Sequence, residues 1–175
     1  MPITLYDAIV PTKLQILRSI RTLLDKAEAH CTEHGWNPEQ VIGARLAPDM
    51  FDFAYQVKSC HTHSLMAIEK AQEGEFSPNL DEAPRSFEGL RALVDQAIAG
   101  LETLTPDAVN AIEGQPADFR FKSFHMPFTA ENFLLSFSQP NFHFHASMTY
   151  AILRMLGVKI GKMDYLGGLR LRDLA

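Results

Sequence analysis

Hydrophobic residues recur at three- and four-residue steps in four long stretches of the chain, and this period predicts four amphipathic helices. The clearest stripe lies within about residues 86–104 and comprises Phe87, Leu90, Leu93, Val94, Ala97, Ile98, Leu101 and Leu104. The other helices are predicted over about residues 4–34, 48–73 and 129–156. Pro11 and Pro140 fall inside two of these stretches, where each predicts a kink or a break.

Residues 107–128 show a different period. Aromatic and apolar side chains at 119, 121, 124, 126 and 128 alternate with polar ones, which predicts a short β-hairpin that turns at Lys122 and Ser123. Helices with one apolar face each bury it against one another. We therefore expect a single all-α domain over residues 1–175, a four-helix bundle with a small β-hairpin inserted between helices three and four.

Composition narrows the function classes. The chain has 175 residues, 46% of them hydrophobic, with a net charge of −5 and a pI of about 5.8. A nucleic-acid partner is not expected, because such proteins carry a basic surplus or stripe. Residues 132–153 lack Asp, Glu, Lys and Arg but contain too many polar side chains for a membrane span, so a buried helix of a soluble bundle is predicted. The N-terminal residues show no targeting signal, and two cysteines do not make a disulfide framework, so a cytoplasmic location is expected.

Two of the seven histidines fall on predicted core-facing stripes, His61 on the second helix and His145 on the fourth. Imidazoles that project into a bundle core can hold a divalent metal such as zinc, nickel, iron or manganese. The alternative is a pair of core histidines satisfied by hydrogen bonds. Asn141 lies one turn before His145 and is either a third ligand or a side chain that bonds to the backbone near Pro140.

The remaining candidates are expected to have structural roles. His63 and His143 fall off the apolar stripes and are predicted to face solvent, as is Lys13 on the first helix. Cys60 lies on the stripe beside His61, so a buried hydrophobic role is favoured over a nucleophilic thiol. The sequence contains no glycine-rich phosphate loop, nucleophile elbow or CxxC motif.

Three stretches near the end of the chain carry a family resemblance: PNFHFH at 140–145, TYAILR at 149–154 and GVKIGKMDYLG at 157–167. Together they resemble the C-terminal signature of an uncharacterised bacterial domain-of-unknown-function family within the DinB/YfiT-like bundles. LYDA at 5–8 and APDM at 47–50 extend the likeness over essentially the whole chain. The resemblance implies a four-helix up-down-down-up bundle that is often a dimer.

DinB-like relatives commonly bind a divalent metal through three histidines, one on helix two and a His-x-x-x-His pair on the last helix. Some use the metal for hydrolysis or thiol-dependent transfer. Alignment on the LRMLG of residues 153–157 places Asn141 and His145 at the pair, with His61 as the nearest helix-two ligand. An asparagine therefore stands where one histidine is expected, and the resemblance implies a degenerate metal site.

Two classes of function remain open at this point. One is a divalent-metal-dependent hydrolase or thiol-dependent transferase that uses His61, His145 and Asn141. The other is a metal-free dimeric protein that binds a small molecule in the bundle cleft or serves as a scaffold. Both predict that the His61 and His145 side chains point into one cavity. The phenylalanines of residues 119–128 predict an interface patch and hence a homodimer, because a hairpin cannot bury so much aromatic surface alone.

Overall fold

The computed structural model describes residues 2–172. In chain order, its helices are α1 (Leu5–His34), α2 (Glu39–Ile42), α3 (Phe53–His61), α4 (Ala67–Glu73), α5 (Phe87–Thr103), α6 (Pro106–Asn110), α7 (Ala130–Asn132), α8 (Gln139–Met155) and α9 (Lys162–Leu166). Its strands are β1 (Glu75–Phe76), β2 (Asp118–Phe121) and β3 (Phe124–Met126).

Two π-helical segments interrupt the predicted long helices. Thr62–Met66 joins α3 to α4, and Phe133–Ser138 joins α7 to α8. Pro140 lies in the first turn of α8, directly after the second segment. A proline has no N–H to donate and its ring crowds the carbonyl of the preceding turn, which accounts for the departure from α-geometry just before it. The break predicted at Pro140 is therefore a widened turn within a continuous helical stretch and does not end the helix.

Local signals in the sequence account for most helix ends. Helix α1 continues through Pro11 and ends at Gly35, whose φ of 64° is the left-handed conformation that glycine tolerates best. The second long helix begins at Phe53, later than predicted, because the Asp52 side chain accepts a hydrogen bond from the Tyr55 N–H and caps it.

The long helices pack around one core, as predicted. Helix α1 packs against α5, α8 and α9, while α3 packs against α8 and α5. Fully buried core side chains come from all of these long helices and include Ile9, Leu17, Leu24, Phe53, Val57, Leu90, Val94 and Phe142. Within residues 2–172, no helix combines the length and the apolar character that crossing a membrane requires.

The inserted sheet contains the predicted hairpin and one further strand. Strands β2 and β3 pair antiparallel around Lys122, which has a φ of 53°. Strand β1, which the sequence analysis missed, pairs parallel to β2 and sets Phe76 opposite Phe119. Because β1 directly follows α4, this pairing fastens the hairpin to the end of the second long helix.

The hairpin phenylalanines divide between the core and the surface. Phe119 and Phe128 are partly buried and pack against the core, and Phe121 is half-buried. Phe124 is 66% exposed. The predicted interface patch is thus largely turned inward, and the homodimer stays a prediction.

Candidate functional site

A cavity of about 250 Å³ lies where α3, the segment Phe133–Ser138, α8 and the small sheet meet. One part of its lining is aromatic or apolar: Phe51, Tyr55, Phe76, Pro78, Phe119 and Phe137. The other part is polar: Lys58, Ser59, Thr62, His63, Asn79, Asn141 and His145. A concave site with an apolar wall and a few converging polar groups has the usual make-up of a small-molecule pocket.

The structure brings Asn141 and His145 into this cavity together with His63, not with His61. The ring centroids of His63 and His145 are 5.9 Å apart and the two rings are nearly parallel, at 11°. His61 is absent from the lining that the described residues form. The prediction that His61 shares a cavity with His145 is therefore wrong, and so is the prediction that His63 faces solvent.

Helix α3 explains the error, because it is buried on two faces. Its apolar stripe packs into the bundle core as predicted. A second stripe, formed by Tyr55 and Ser59 of α3 and continued by Thr62 and His63 of the π-helical segment, faces the cavity. A polar stripe usually marks a solvated face. The available signal was the sequence SCHTHS at 59–64, a run of small and uncharged polar side chains that α5 does not contain.

His145 is held by a glutamine to which the sequence analysis gave no role in the site. Gln56 is buried, and its Oε1 lies 2.7 Å from His145 Nδ1. Its Nε2 donates to the Phe51 carbonyl oxygen at 3.0 Å. A buried side chain that binds one ring nitrogen fixes the orientation of the imidazole.

Asn141 forms the backbone bond that the sequence analysis weighed against ligation. Its Nδ2 donates to the Phe137 carbonyl oxygen, one turn earlier, at 2.8 Å. The side chain nevertheless lines the cavity. The bond to Phe137 involves the amide nitrogen, so Oδ1 remains available as an acceptor.

A buried lysine supports the backbone at His63. Lys13, predicted to be solvated, is 1% exposed and donates from Nζ to the His63 carbonyl oxygen at 2.6 Å. Ser138 Oγ donates to the same oxygen at 3.0 Å. Since His63 lies in one π-helical segment and Ser138 ends the other, this carbonyl links the two.

Burial keeps the two cavity histidines uncharged at neutral pH. It lowers the pKa of His63 to about 3, with the neighbouring His145 and Lys13 adding to the effect, and that of His145 to about 4. It also lowers the pKa of Lys13 to about 7. Cys60 is fully buried, and burial raises its pKa far above the usual range, which agrees with the predicted hydrophobic role.

The cavity does not fit a resident divalent metal. The lining that residues 2–172 form offers two neutral imidazoles, the amides of Asn79 and Asn141 and a few hydroxyl groups, but no carboxylate or thiol. The ammonium group of Lys58 belongs to that lining and repels a cation. In residues 2–172, no three His, Cys, Asp or Glu side chains are grouped as a metal site would need.

Comparisons with known proteins agree with the resemblance in the sequence. The chain is similar over 97% of its length, with 25% identity and a TM-score of 0.81, to the crystal structure of a DinB family member protein from Shewanella denitrificans, of which 96% is covered. No curated protein matches the chain. Residues 5–166 match the family described as Domain of unknown function (DUF1993). The chain therefore has the DinB-like helical fold with a small sheet insertion and belongs to the DUF1993 family.

Proposed function

We propose that this protein binds a small organic molecule with a planar apolar body in the cavity between α3 and α8, without a resident metal. One observation carries the proposal: a single cavity is lined by aromatic side chains, which include Phe76, Phe119 and Phe137, and by hydrogen-bonding side chains packed among them, which we call the polar wall. Aromatic side chains provide apolar contact at low conformational cost, and a few fixed polar groups orient a ligand.

The support of the polar wall favours a preformed site. His145 is anchored by Gln56, Asn141 by the Phe137 carbonyl, and the His63 backbone by Lys13. Groups that are already ordered lose little further entropy when a ligand binds.

Titration with 2-naphthol, followed by its fluorescence, tests the proposal. Wild-type protein should bind one equivalent saturably. Ser59→Phe, which puts a ring at a buried lining position, should weaken binding by about tenfold or more. Glu69→Phe, on the exposed side of α4, is the matched control and should bind as wild type does. Equal affinity of wild type and a folded Ser59→Phe variant for 2-naphthol would show that the ligand does not bind in this cavity.

Elemental analysis tests the metal-free part separately. Protein purified without an affinity tag or chelator should contain far less than one equivalent of zinc, nickel, iron or manganese. A near-stoichiometric metal that His145→Ala removes, while the circular dichroism stays helical, would instead favour a metal-dependent hydrolase or thiol-dependent transferase.

A further inference from the structure

The hydrogen-bond polarity of the polar wall follows from Gln56. The Phe51 carbonyl oxygen can only accept, so the nitrogen end of the Gln56 amide must be the end that faces it at 3.0 Å. The oxygen end then faces His145 Nδ1 at 2.7 Å, and Nδ1 must carry the hydrogen. This network assigns both the amide orientation and the tautomer of His145.

A neutral imidazole with its hydrogen on Nδ1 has its lone pair on Nε2. Gln56 occupies the Nδ1 side and is not part of the cavity lining, whereas His145 is. The group that His145 offers to the cavity is therefore an acceptor. Burial, which lowers the pKa of this ring to about 4, keeps it neutral at physiological pH.

Asn141 adds a second acceptor one turn earlier on α8. Its amide nitrogen donates to the Phe137 carbonyl oxygen at 2.8 Å, so Oδ1 is the end free of that bond. Two acceptors on adjacent turns of one helix face the same side. Their complement in a ligand is a hydrogen-bond donor.

The one ammonium group of the described lining is held by backbone carbonyl oxygens. Lys58 Nζ donates to the Asn79 carbonyl oxygen at 2.9 Å and also to the Asp81 carbonyl oxygen. Two of its three donors are thus already in use. Its positive charge still disfavours a cationic ligand.

Resting on the proposed function, we infer that the cavity selects a neutral aromatic compound with a hydroxyl or N–H donor, of which a phenol is the simplest class. The donor binds His145 Nε2 or Asn141 Oδ1, and the ring packs against Phe76, Phe119 and Phe137. At His145 Nε2 and Asn141 Oδ1, an aromatic carboxylate of the same size meets acceptors where it needs donors. A donor-free aromatic leaves buried acceptors unpaired, which costs affinity.

Three naphthalenes of similar shape separate these possibilities: 2-naphthol, 2-methylnaphthalene and 2-naphthoate, each titrated into wild-type protein. We expect 2-naphthol to bind at least about tenfold more tightly than either of the others, because each of the others lacks its hydrogen bond to a buried acceptor. Equal affinity for 2-methylnaphthalene, or tightest binding of 2-naphthoate, would overturn the inference and leave small-molecule binding intact. Absence of binding by all three would overturn both.

The tautomer has its own test, independent of any ligand. Nitrogen-15 NMR of the free protein should show His145 neutral with its hydrogen on Nδ1, and the opposite tautomer would overturn the inference. Gln56→Glu should pair the ring with a carboxylate, favour its charged form and turn Nε2 into a donor. The affinity ratio of 2-naphthol to 2-naphthoate should then fall by about tenfold, and an unchanged ratio in the folded variant would also count against the inference.

Discussion

Helix α5 and the helical stretch from α3 to α4 pack against each other, yet they bury different kinds of side chain. Helix α5 buries one face, and the buried residues of that face are all apolar: Phe87, Leu90, Val94, Ala97 and Leu101. The α3–α4 stretch is buried nearly all round and encloses polar groups, among them Gln56, Lys58, Ser59, Thr62 and Ser64. An element with one solvated face contributes mainly to stability, while an element enclosed on two faces can hold a polar site away from bulk water.

The largest expected effect comes from a substitution that weakens the packing of α5 at a position outside the cavity lining. Leu90 is fully buried, and Leu90→Ala should lower the free energy of unfolding by about 3 kcal/mol through lost burial and a residual cavity. Denaturant unfolding measures this change. The folded variant should keep its affinity for 2-naphthol, and a tenfold weaker affinity would show that α5 contributes to the site after all.

Lys13→Met tests the energetic cost of burying a polar group beside the α3–α4 stretch. The unfolded chain binds a proton at Lys13 up to its ordinary pKa, whereas the folded state releases it near pH 7. Wild-type stability should therefore rise from about pH 7 to pH 8.5, by up to about 1.4 kcal/mol per pH unit.

The variant should lack this rise and be about 2–3 kcal/mol more stable at pH 7, since a methionine buries no charge. Denaturation series at several pH values measure both effects. Lys159→Met, at an exposed position, is the control and should follow wild type. The same slope in Lys13→Met and wild type would contradict the burial of this charge.

The two cavity histidines should lower the stability of the protein in acid, by less than Lys13 affects it near neutral pH. Both have pKa values lowered by burial, so the unfolded chain binds protons below about pH 6.5 that the folded state refuses until about pH 4 or lower. His63→Leu should reduce the loss between pH 6.5 and pH 5 by about 1–2 kcal/mol. His34→Leu, at an exposed histidine, should leave the loss unchanged in thermal unfolding scans.

The smallest effect concerns the contact between the two π-helical segments. Ser138→Ala removes the donor to the His63 carbonyl oxygen and should cost about 1 kcal/mol, because Lys13 still satisfies that oxygen. Ser136→Ala, two residues earlier on an exposed face, should be nearly neutral. Equal costs for the two variants would mean that the contact contributes no stability.

The sequence predicts the bundle well because its four apolar stripes are long and helical in period. It also predicts the hairpin, whose turn falls at Lys122 as expected. Strand β1 was not predicted because two residues are too few to show a period. Helix α9 was not predicted because its glycine-rich surroundings resemble irregular structure.

The site was predicted in part. Asn141 and His145 lie in the cavity, as their position on the last helix indicated. His63 and Lys13 were misplaced for one physical reason: a hydrophobic stripe reports the face toward apolar neighbours, but not a second face that meets other polar groups in the interior. Gln56 was overlooked because its role depends on a residue far away in the chain.

A π-turn closes its hydrogen bond over five residues where an α-turn uses four, so each of the two segments holds one residue more than an ordinary helix needs. In terms of chain length, Thr62–Met66 and Phe133–Ser138 are equivalent to single-residue insertions in two helices that meet at the same cavity. Deleting one residue from either would restore regular winding with little net rotation of the helix beyond it, but the side chains within the segment would face new directions. The placement of the site thus depends on the number of residues in these helices as much as on their identity.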